Sequence, residues 1–413
     1  MKKQLTIFIF VTLSLFSFAQ TKKVITTTGP CDQKLFDKYP GLWLPKKYQF
    51  TGAGLNQSQQ QGWINRFDEF TKILREAYAE PSGCDAFPNA GAYKSFFGNR
   101  IKFLANAEEE YLAKNPVMEF AFAVNLYTYY CNGANSFRSG YPDPEMSNCG
   151  MGIYANTINA ITLGTGGTQF YGDNLWRIDD RPMKLKFPVT GKWKGYDVFE
   201  KEGGQLKNMI PAQYVLLTHA GMLPYIPVTR KEYLERAIPY IKKFYAVEFA
   251  TLDQIPVRSL EEQEAIKNKT TEEYKRKYPG NPGMLKQYLA TYSTDQQELE
   301  RKKSIIQKNM DADLKKYQDE LEKTTKNGML ESPAIVAGGV EMMSEQPVFT
   351  TEEQGGNMLI TENPNYFRKD LPAAVPQIIV LAWWWEGAPW QLRFRKTFEE
   401  NFPIEELQAM IDK

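Results

Sequence analysis

The sequence predicts an α+β protein, in which an antiparallel or mixed β-sheet is interrupted by a charged helical hairpin. Three patterns lead to this fold class. Apolar residues recur at helical spacing over 59–79 and 230–250, and they alternate along 118–126 as in a strand. Residues 258–327 are dense in Glu, Lys and Gln. We therefore expect a disulfide-stapled N-terminal region of helix and strand, followed by a sheet built from segments distant in sequence.

The first 19 residues have the features of a secretory signal peptide. Two lysines precede an apolar stretch at 5–18, which is too short to cross a bilayer, and Ala19 is a small residue of the kind a signal peptidase requires. We predict that the mature chain begins at Gln20. It is expected to be periplasmic or extracellular, with no membrane-spanning segment once the signal is removed.

Charge and length set further bounds. The chain has 413 residues and a formal charge of +1, which becomes −1 when the two lysines of the signal are lost. Because no long face of one sign is implied, nucleic acid is not an expected partner. The length suggests a cysteine-stapled region at 20–150 and an α+β domain at 151–413, with the helical insertion at about 230–327.

All four cysteines lie in the N-terminal region, at Cys31, Cys84, Cys131 and Cys149. An even number of cysteines in an exported protein favours two disulfides, for which three connectivities exist. The short loop between the last two cysteines favours pairing 131 with 149 and 31 with 84. A catalytic thiol would need a neighbouring imidazole, and the single histidine of the chain is His219.

The N-terminal region is expected to contain two helices and a long strand. Ser58 and Gln61 have capping-box spacing at the start of the helical pattern over 59–79. A second helix is predicted over 92–114. The alternation at 118–126 then predicts a strand that ends at Cys131.

Residues 213–250 predict a strand, a turn, a second strand and a helix. The extended runs at 214–217 and 222–228 flank Gly221, which tolerates a positive φ. Thr229 and Glu232 then have capping-box spacing, so a helix should begin at Arg230.

The charged segment is expected to form a helical hairpin, with arms at about 258–277 and 284–326 on either side of YPGNPG. Thr294 and Gln297 have the spacing of a capping box within the long arm. Its apolar stripe is narrow, which suits contact with one other helix. Two arrangements fit this pattern: a solvated hairpin that folds back on its own domain, or a protruding arm that grips a partner.

The C-terminal part is expected to return to β structure. Ile378 to Leu381 do not alternate, which is typical of a central strand buried on both faces. A final helix is expected after Pro403. The predicted extended segments of this part are 334–336, 348–350, 358–361, 377–385 and 391–398.

A Trp-rich strand end is the most suggestive pattern for chemistry. Indoles at Trp383, Trp385 and Trp390 surround Glu386, as in surfaces that stack on sugars. A glycosidase would need a second carboxylate about 5–10 Å away, for which Asp179 or Asp180 is available. However, neighbouring strand residues point to opposite faces, so packing in the core explains the indoles equally well.

Other kinds of chemistry lack a convincing residue set. A Ser/His/Asp hydrolase would have to use His219, which lies in a predicted turn, and no G-x-S-x-G motif occurs. Zinc is disfavoured by the single histidine. The GTGG sequence at 164–167 lacks the lysine of a phosphate-binding P-loop. Oxygen-rich loops without EF-hand spacing occur at Asp173, Asn174, Asp179 and Asp180, and at Asp143, Glu145 and Asn148.

These observations favour an exported, non-catalytic binding or envelope-assembly protein that needs no metal or cofactor. Helices within 258–327 are the expected contact for an envelope protein partner. The alternative hypothesis is a glycan-active hydrolase that uses Glu386 with Asp179 or Asp180.

Overall fold

A computed structural model of the chain shows an α+β fold, as the sequence predicts, and it contains one disulfide where the sequence predicts two. The predicted signal peptide, most of the predicted helix at 92–114, the glycines that follow residue 164, and Asp179 and Asp180 lie outside the residues that the structure describes. The described residues are 24–26, 29–51, 57–93, 119–164, 177–178, 181–201, 210–219, 221–337, 347–363, 365–368 and 370–413.

Strands and helices are numbered here in chain order. The strands are β1 Val24–Thr26, β2 Lys47–Thr51, β3 Cys84–Tyr93, β4 Glu119–Cys131, β5 Ser136–Ser139, β6 Cys149–Ala155, β7 Thr162–Gly164, β8 Arg177–Ile178, β9 Arg181–Pro182, β10 Lys184–Lys186, β11 Val189–Trp193, β12 Tyr196–Lys201, β13 Ala212–Leu217, β14 Tyr225–Pro227, β15 Ile335–Ala337, β16 Gly356–Glu362 and β17 Ile379–Trp384. The helices are α1 Gln33–Phe36, α2 Gln57–Ala77, α3 Arg230–Asp253, α4 Leu260–Lys277, α5 Pro282–Thr291, α6 Asp295–Lys326, α7 Pro389–Asn401 and α8 Ile404–Gln408.

The large sheet has the strand order β1-β5-β4-β6-β17-β13-β12-β11, and β3 followed by β2 extends it from β4. Its pairs are antiparallel except β2 with β3. Leu381 of β17 lies opposite Ile153 on one side and Val215 on the other, which confirms the predicted central strand. The sheet is continuous across residue 150, where the sequence suggested a boundary, because β4 and β6 pair directly.

Helices α2, α7 and α8 cover one face of this sheet and form its largest apolar core. The prediction of an extended segment at 391–398 is wrong, since these residues belong to α7. Pro389 occupies the first turn, and Trp390, Phe394 and Phe398 recur four residues apart on the buried face. The spacing of these three side chains in the sequence could have predicted a helix here.

The second sheet has the order β14-β16-β10-β7, and β15 also pairs with β16. The extended runs at 214–217 and 222–228 do not pair with each other across the predicted turn, because β13 belongs to the large sheet and β14 to the second. Strands β14 and β15 occupy successive stretches of one edge of β16. Val228 donates to Leu359 at 2.9 Å and accepts from Ala334 at 2.8 Å. The helical segment between them therefore leaves and re-enters the sheet at adjacent points.

The preferred disulfide pairing is wrong. Cys31 is bonded to Cys131, with a Cα separation of 5.8 Å, and Cys84 and Cys149 are free and buried. Cys149 lies opposite Leu126 of β4, five residues from Cys131, which is about 17 Å along a strand. Sheet register, rather than loop length, therefore decides which thiols can meet.

Candidate functional site

The most distinctive part of the molecule is a helical arm, defined here as residues 230–327. Its first helix is capped by Thr229, whose hydroxyl accepts from the Glu232 amide while the Glu232 carboxylate accepts from the Thr229 amide. This capping box confirms the helix start that the sequence predicts. Within the described chain, no helix of the arm or elsewhere is long and apolar enough to cross a membrane.

The part of the arm next to the sheet, called the shaft, is the pair α3 and α6. Buried Leu234, Ile241 and Tyr245 of α3 face the apolar stripe of α6, which includes Leu314 and Tyr317. The stripe contacts one helix, as predicted, but that helix is α3 rather than the segment at 258–277. The core of the shaft continues into β10 and β16, so its base is anchored in the second sheet.

A polar joint, called the elbow, connects the shaft to the outer part of the arm. Arg258 forms two hydrogen bonds to the Asp295 carboxylate, at 2.7 and 2.8 Å. The buried amide of Gln263 donates to the carbonyl of Arg258 at 2.6 Å and accepts from the amide of Asp295 at 2.7 Å. Capping boxes begin α4 at Ser259 and α6 at Thr294. The chain passes through the elbow twice, once near residue 258 and once near residue 295. These bonds join the two passages and restrict bending of the arm at this point.

The Asp295 carboxyl provides a test of this joint. Hydrogen bonds from the side chain and backbone of Arg258 lower its pKa from 3.8 to about 2. The associated stabilisation is present above pH 3.8 and is lost as the pH falls through about 2. In an NMR titration, Arg258→Met should return the Asp295 midpoint towards 3.8.

A matched control for this titration is Lys308→Met, which removes an exposed cation from α6 that has no ion pair within the described arm. This variant should leave the Asp295 midpoint unchanged. An unchanged midpoint in Arg258→Met would instead show that the guanidinium does not hold the elbow.

The outer part of the arm, called the distal hairpin, consists of α4 and α5. Gln263 is the one buried residue in these two helices. The helices contact each other through tyrosines: the rings of Tyr274 and Tyr288 stack at 5.1 Å, and Tyr292 lies 5.9 Å from Tyr288. A helix that lay against the body would bury an apolar face. The distal hairpin therefore stands away from the two sheets.

Exposed apolar side chains gather at the elbow. Ile255 and Val257 are each 44% exposed, and Leu260 is 73% exposed. These three residues, called the elbow patch, lie within six positions of the chain. Single exposed apolar residues are common, but a cluster held on a fixed joint is typical of a contact surface. The sequence contained this cluster but gave no means of knowing that it faces water.

The Trp-rich strand end lies elsewhere, in the core of the large sheet. Trp383 and Trp390 are 0% and 2% exposed, and Trp385 is 8% exposed with the Arg395 guanidinium 4.1 Å from its ring. A sugar ring has no access to these indoles in this conformation. Glu386 is exposed, but its proposed partners Asp179 and Asp180 lie outside the described residues, so the glycosidase pair stays a prediction.

His219 lies where the C-terminus meets the end of β13. Its Nδ1 is 3.2 Å from the Asp412 carboxylate, and its ring lies 4.9 Å from Tyr366. Its Nε2 is buried without a hydrogen-bond partner in the described chain. Gln408 donates to Thr218 beside it. These contacts hold the C-terminal residues against the end of β13. They also bring Asp412 and His219 together as an acid–imidazole pair, but no nucleophile among the described residues is hydrogen-bonded to the imidazole.

Two pairs of buried reactive groups were not anticipated from the sequence. Lys184 and Lys186 of β10 are almost fully buried, and each lies near a carboxylate, at 3.0 Å from Glu362 and 3.6 Å from Glu352.

Burial raises the pKa of the Cys84 thiol, and it raises the pKa of the Cys149 thiol likewise. Thiols held in the neutral form are poor nucleophiles, so these cysteines contribute to packing.

The oxygen-rich loops at 143–148 and 173–180 do not assemble a metal site within the described residues. Asp143 and Glu145 belong to a turn in which the Asp143 carboxylate accepts from the Glu145 amide at 3.1 Å. Across the described ranges, no group of three or more His, Cys, Asp or Glu side chains is placed to hold a metal ion. The other loop, at 173–180, is described only at residues 177 and 178.

Comparison with protein-family models, curated proteins and solved structures finds no match to this chain.

Proposed function

We propose that this chain is an exported binding protein whose arm holds a protein partner in the cell envelope. The observation that supports this proposal is the elbow patch: apolar side chains displayed on an arm that buries almost nothing beyond its shaft. Removing such side chains from water lowers the free energy of the complex when a partner binds. The contact we propose is centred on Leu260, the most exposed of the three.

The construction of the arm supports the same proposal. Its base is anchored by two strand segments, its shaft has an apolar core, and its elbow is cross-linked by Arg258, Gln263 and Asp295. A contact surface that is rigid before binding loses less entropy when the complex forms. Helical elements of this kind therefore suit recognition better than a mobile loop would.

Export is part of the proposal and rests on two observations. The N-terminal residues have the pattern of a signal peptide. The chain also carries the Cys31–Cys131 disulfide, and such bonds persist mainly in oxidising compartments. If the chain is exported, the partner that binds the arm is a periplasmic or extracellular protein.

Site-specific photocrosslinking tests the proposed contact. A photoreactive residue at Leu260 should give a discrete crosslinked protein in the native envelope. The same residue at Leu392, which is 49% exposed on α7 of the body, should not give that product. Equal crosslinking from both positions, or none from Leu260, would contradict the proposal.

A substitution then tests the energetics with the partner identified by crosslinking. Leu260→Glu should weaken its binding about 30-fold, the effect of losing a hot-spot side chain. Replacing residues 260–293 by a short Gly-Ser linker should abolish binding while leaving the shaft folded, since Arg258 and Asp295 are adjacent across the elbow. Leu392→Glu is the matched control and should bind normally.

A further inference from the structure

The end of the arm carries a concentrated positive charge that the elbow patch does not explain. Residues 274–292, called the tip, contain Lys275, Arg276, Lys277 and Lys286 and no Asp or Glu. Helix α6 of the shaft, by comparison, has eight acidic and eight basic side chains. Helix α6 is therefore electrically balanced, whereas the tip is cationic.

These cations are available to an external partner. All four are exposed, and one of them, Lys275, pairs with Glu272 at 2.7 Å. Arg276, Lys277 and Lys286 have no carboxylate partner within the described arm, although Lys277 lies 5.6 Å from the ring of Tyr278. Charge that is not neutralised within the protein acts on its surroundings over a Debye length, about 8–10 Å in salt.

Apolar and aromatic side chains accompany this charge. Met284 is 36% exposed and Leu289 is 41% exposed, both on α5. Tyr274, Tyr278 and Tyr288 lie among the cations, and the Tyr274 ring is 5.8 Å from that of Tyr278 and 5.1 Å from that of Tyr288. Tyrosine has an apolar ring and a polar hydroxyl, which suits it to the boundary between lipid headgroups and acyl chains.

We infer that the tip binds the surface of a bilayer that contains anionic phospholipids. Lipid phosphates complement Arg276, Lys277 and Lys286, the cations that are unpaired within the described arm. The headgroup region also accepts the apolar side chains of Met284 and Leu289, for which the phosphate backbone of a nucleic acid offers no apolar counterpart. The hairpin turn at 278–281 also makes the tip a projecting end, which can reach a flat surface. This inference concerns a surface separate from the elbow patch, so either can fail without the other.

Vesicle binding tests the inference with the full chain. The protein should sediment with phosphatidylcholine vesicles that contain about one-third phosphatidylglycerol, and not with phosphatidylcholine alone. Arg276→Gln with Lys286→Gln should weaken binding about 30-fold, since a Lys or Arg near an anionic surface contributes about fivefold. Binding should also weaken as salt is raised.

The control removes the same charge from the shaft. Lys242→Gln with Lys308→Gln replaces two exposed cations outside the tip and should change vesicle binding less than about twofold. Leu260→Glu should also bind vesicles almost normally, which separates this test from that of the elbow patch. Equal losses in the tip and shaft variants, competition by millimolar inorganic phosphate, or equal binding to neutral vesicles would overturn the inference.

Discussion

Trp383→Ala is expected to lower the free energy of unfolding by about 3–5 kcal/mol. The side chain is fully buried in β17, with Trp193 and Phe398 at ring distances of 5.1 and 5.6 Å, and its indole donates to Glu399 at 2.9 Å. Alanine would leave a cavity beneath α7 and remove one of the hydrogen bonds that the Glu399 carboxylate accepts, while the bond from Arg395 remains. Urea unfolding followed by circular dichroism measures the change.

The control for this variant is Leu392→Ala, at an exposed position on α7, which should change stability by less than about 0.5 kcal/mol. Trp383→Phe should fall between the two, because it keeps much of the ring contact and loses the hydrogen bond. If Trp383→Ala were as stable as the control, the indole would not be part of the core. A ligand-contact role for this strand end would then regain support.

The second large effect is expected from the disulfide. Replacing both Cys31 and Cys131 by serine should destabilise the protein by about 3–5 kcal/mol, because the bond closes a loop with a sequence separation of 100. The bond ties the N-terminal segment to the end of β4, where the Cys31 amide also donates to Ala134. Urea unfolding of the double variant, compared with wild-type protein in the presence and absence of reductant, measures the loss.

Counting thiols tests the connectivity directly. Wild-type protein unfolded without reductant should react with two equivalents of an alkylating reagent, at Cys84 and Cys149, and native protein should react with almost none because both thiols are buried. Reductant should not change the stability of the variant that lacks Cys31 and Cys131. Absence of free thiols would instead support the two-disulfide framework that the cysteine count suggests.

Several parts of the candidate site were predictable from the sequence. The capping boxes at Thr229 and Thr294 mark the starts of α3 and α6, and YPGNPG marks the turn of the distal hairpin. The cluster of cations near this turn is likewise visible in the sequence. What could not be predicted was the exposure of Leu260, since a leucine in a helical pattern is usually buried by a neighbour that the pattern does not identify.

Helix starts, the strand β4 and the central position of β17 follow from interactions between residues close in sequence, because caps and apolar periods involve spacings of two to four residues. The pairing of Cys31 with Cys131, the separation of β13 from β14 into two sheets, and the contact of α6 with α3 join residues far apart in the chain. Such pairings depend on which register and packing bury the most apolar surface in the whole molecule. A local sequence pattern does not show which of the alternative pairings buries more apolar surface. These long-range pairings are therefore decided only when the whole chain folds.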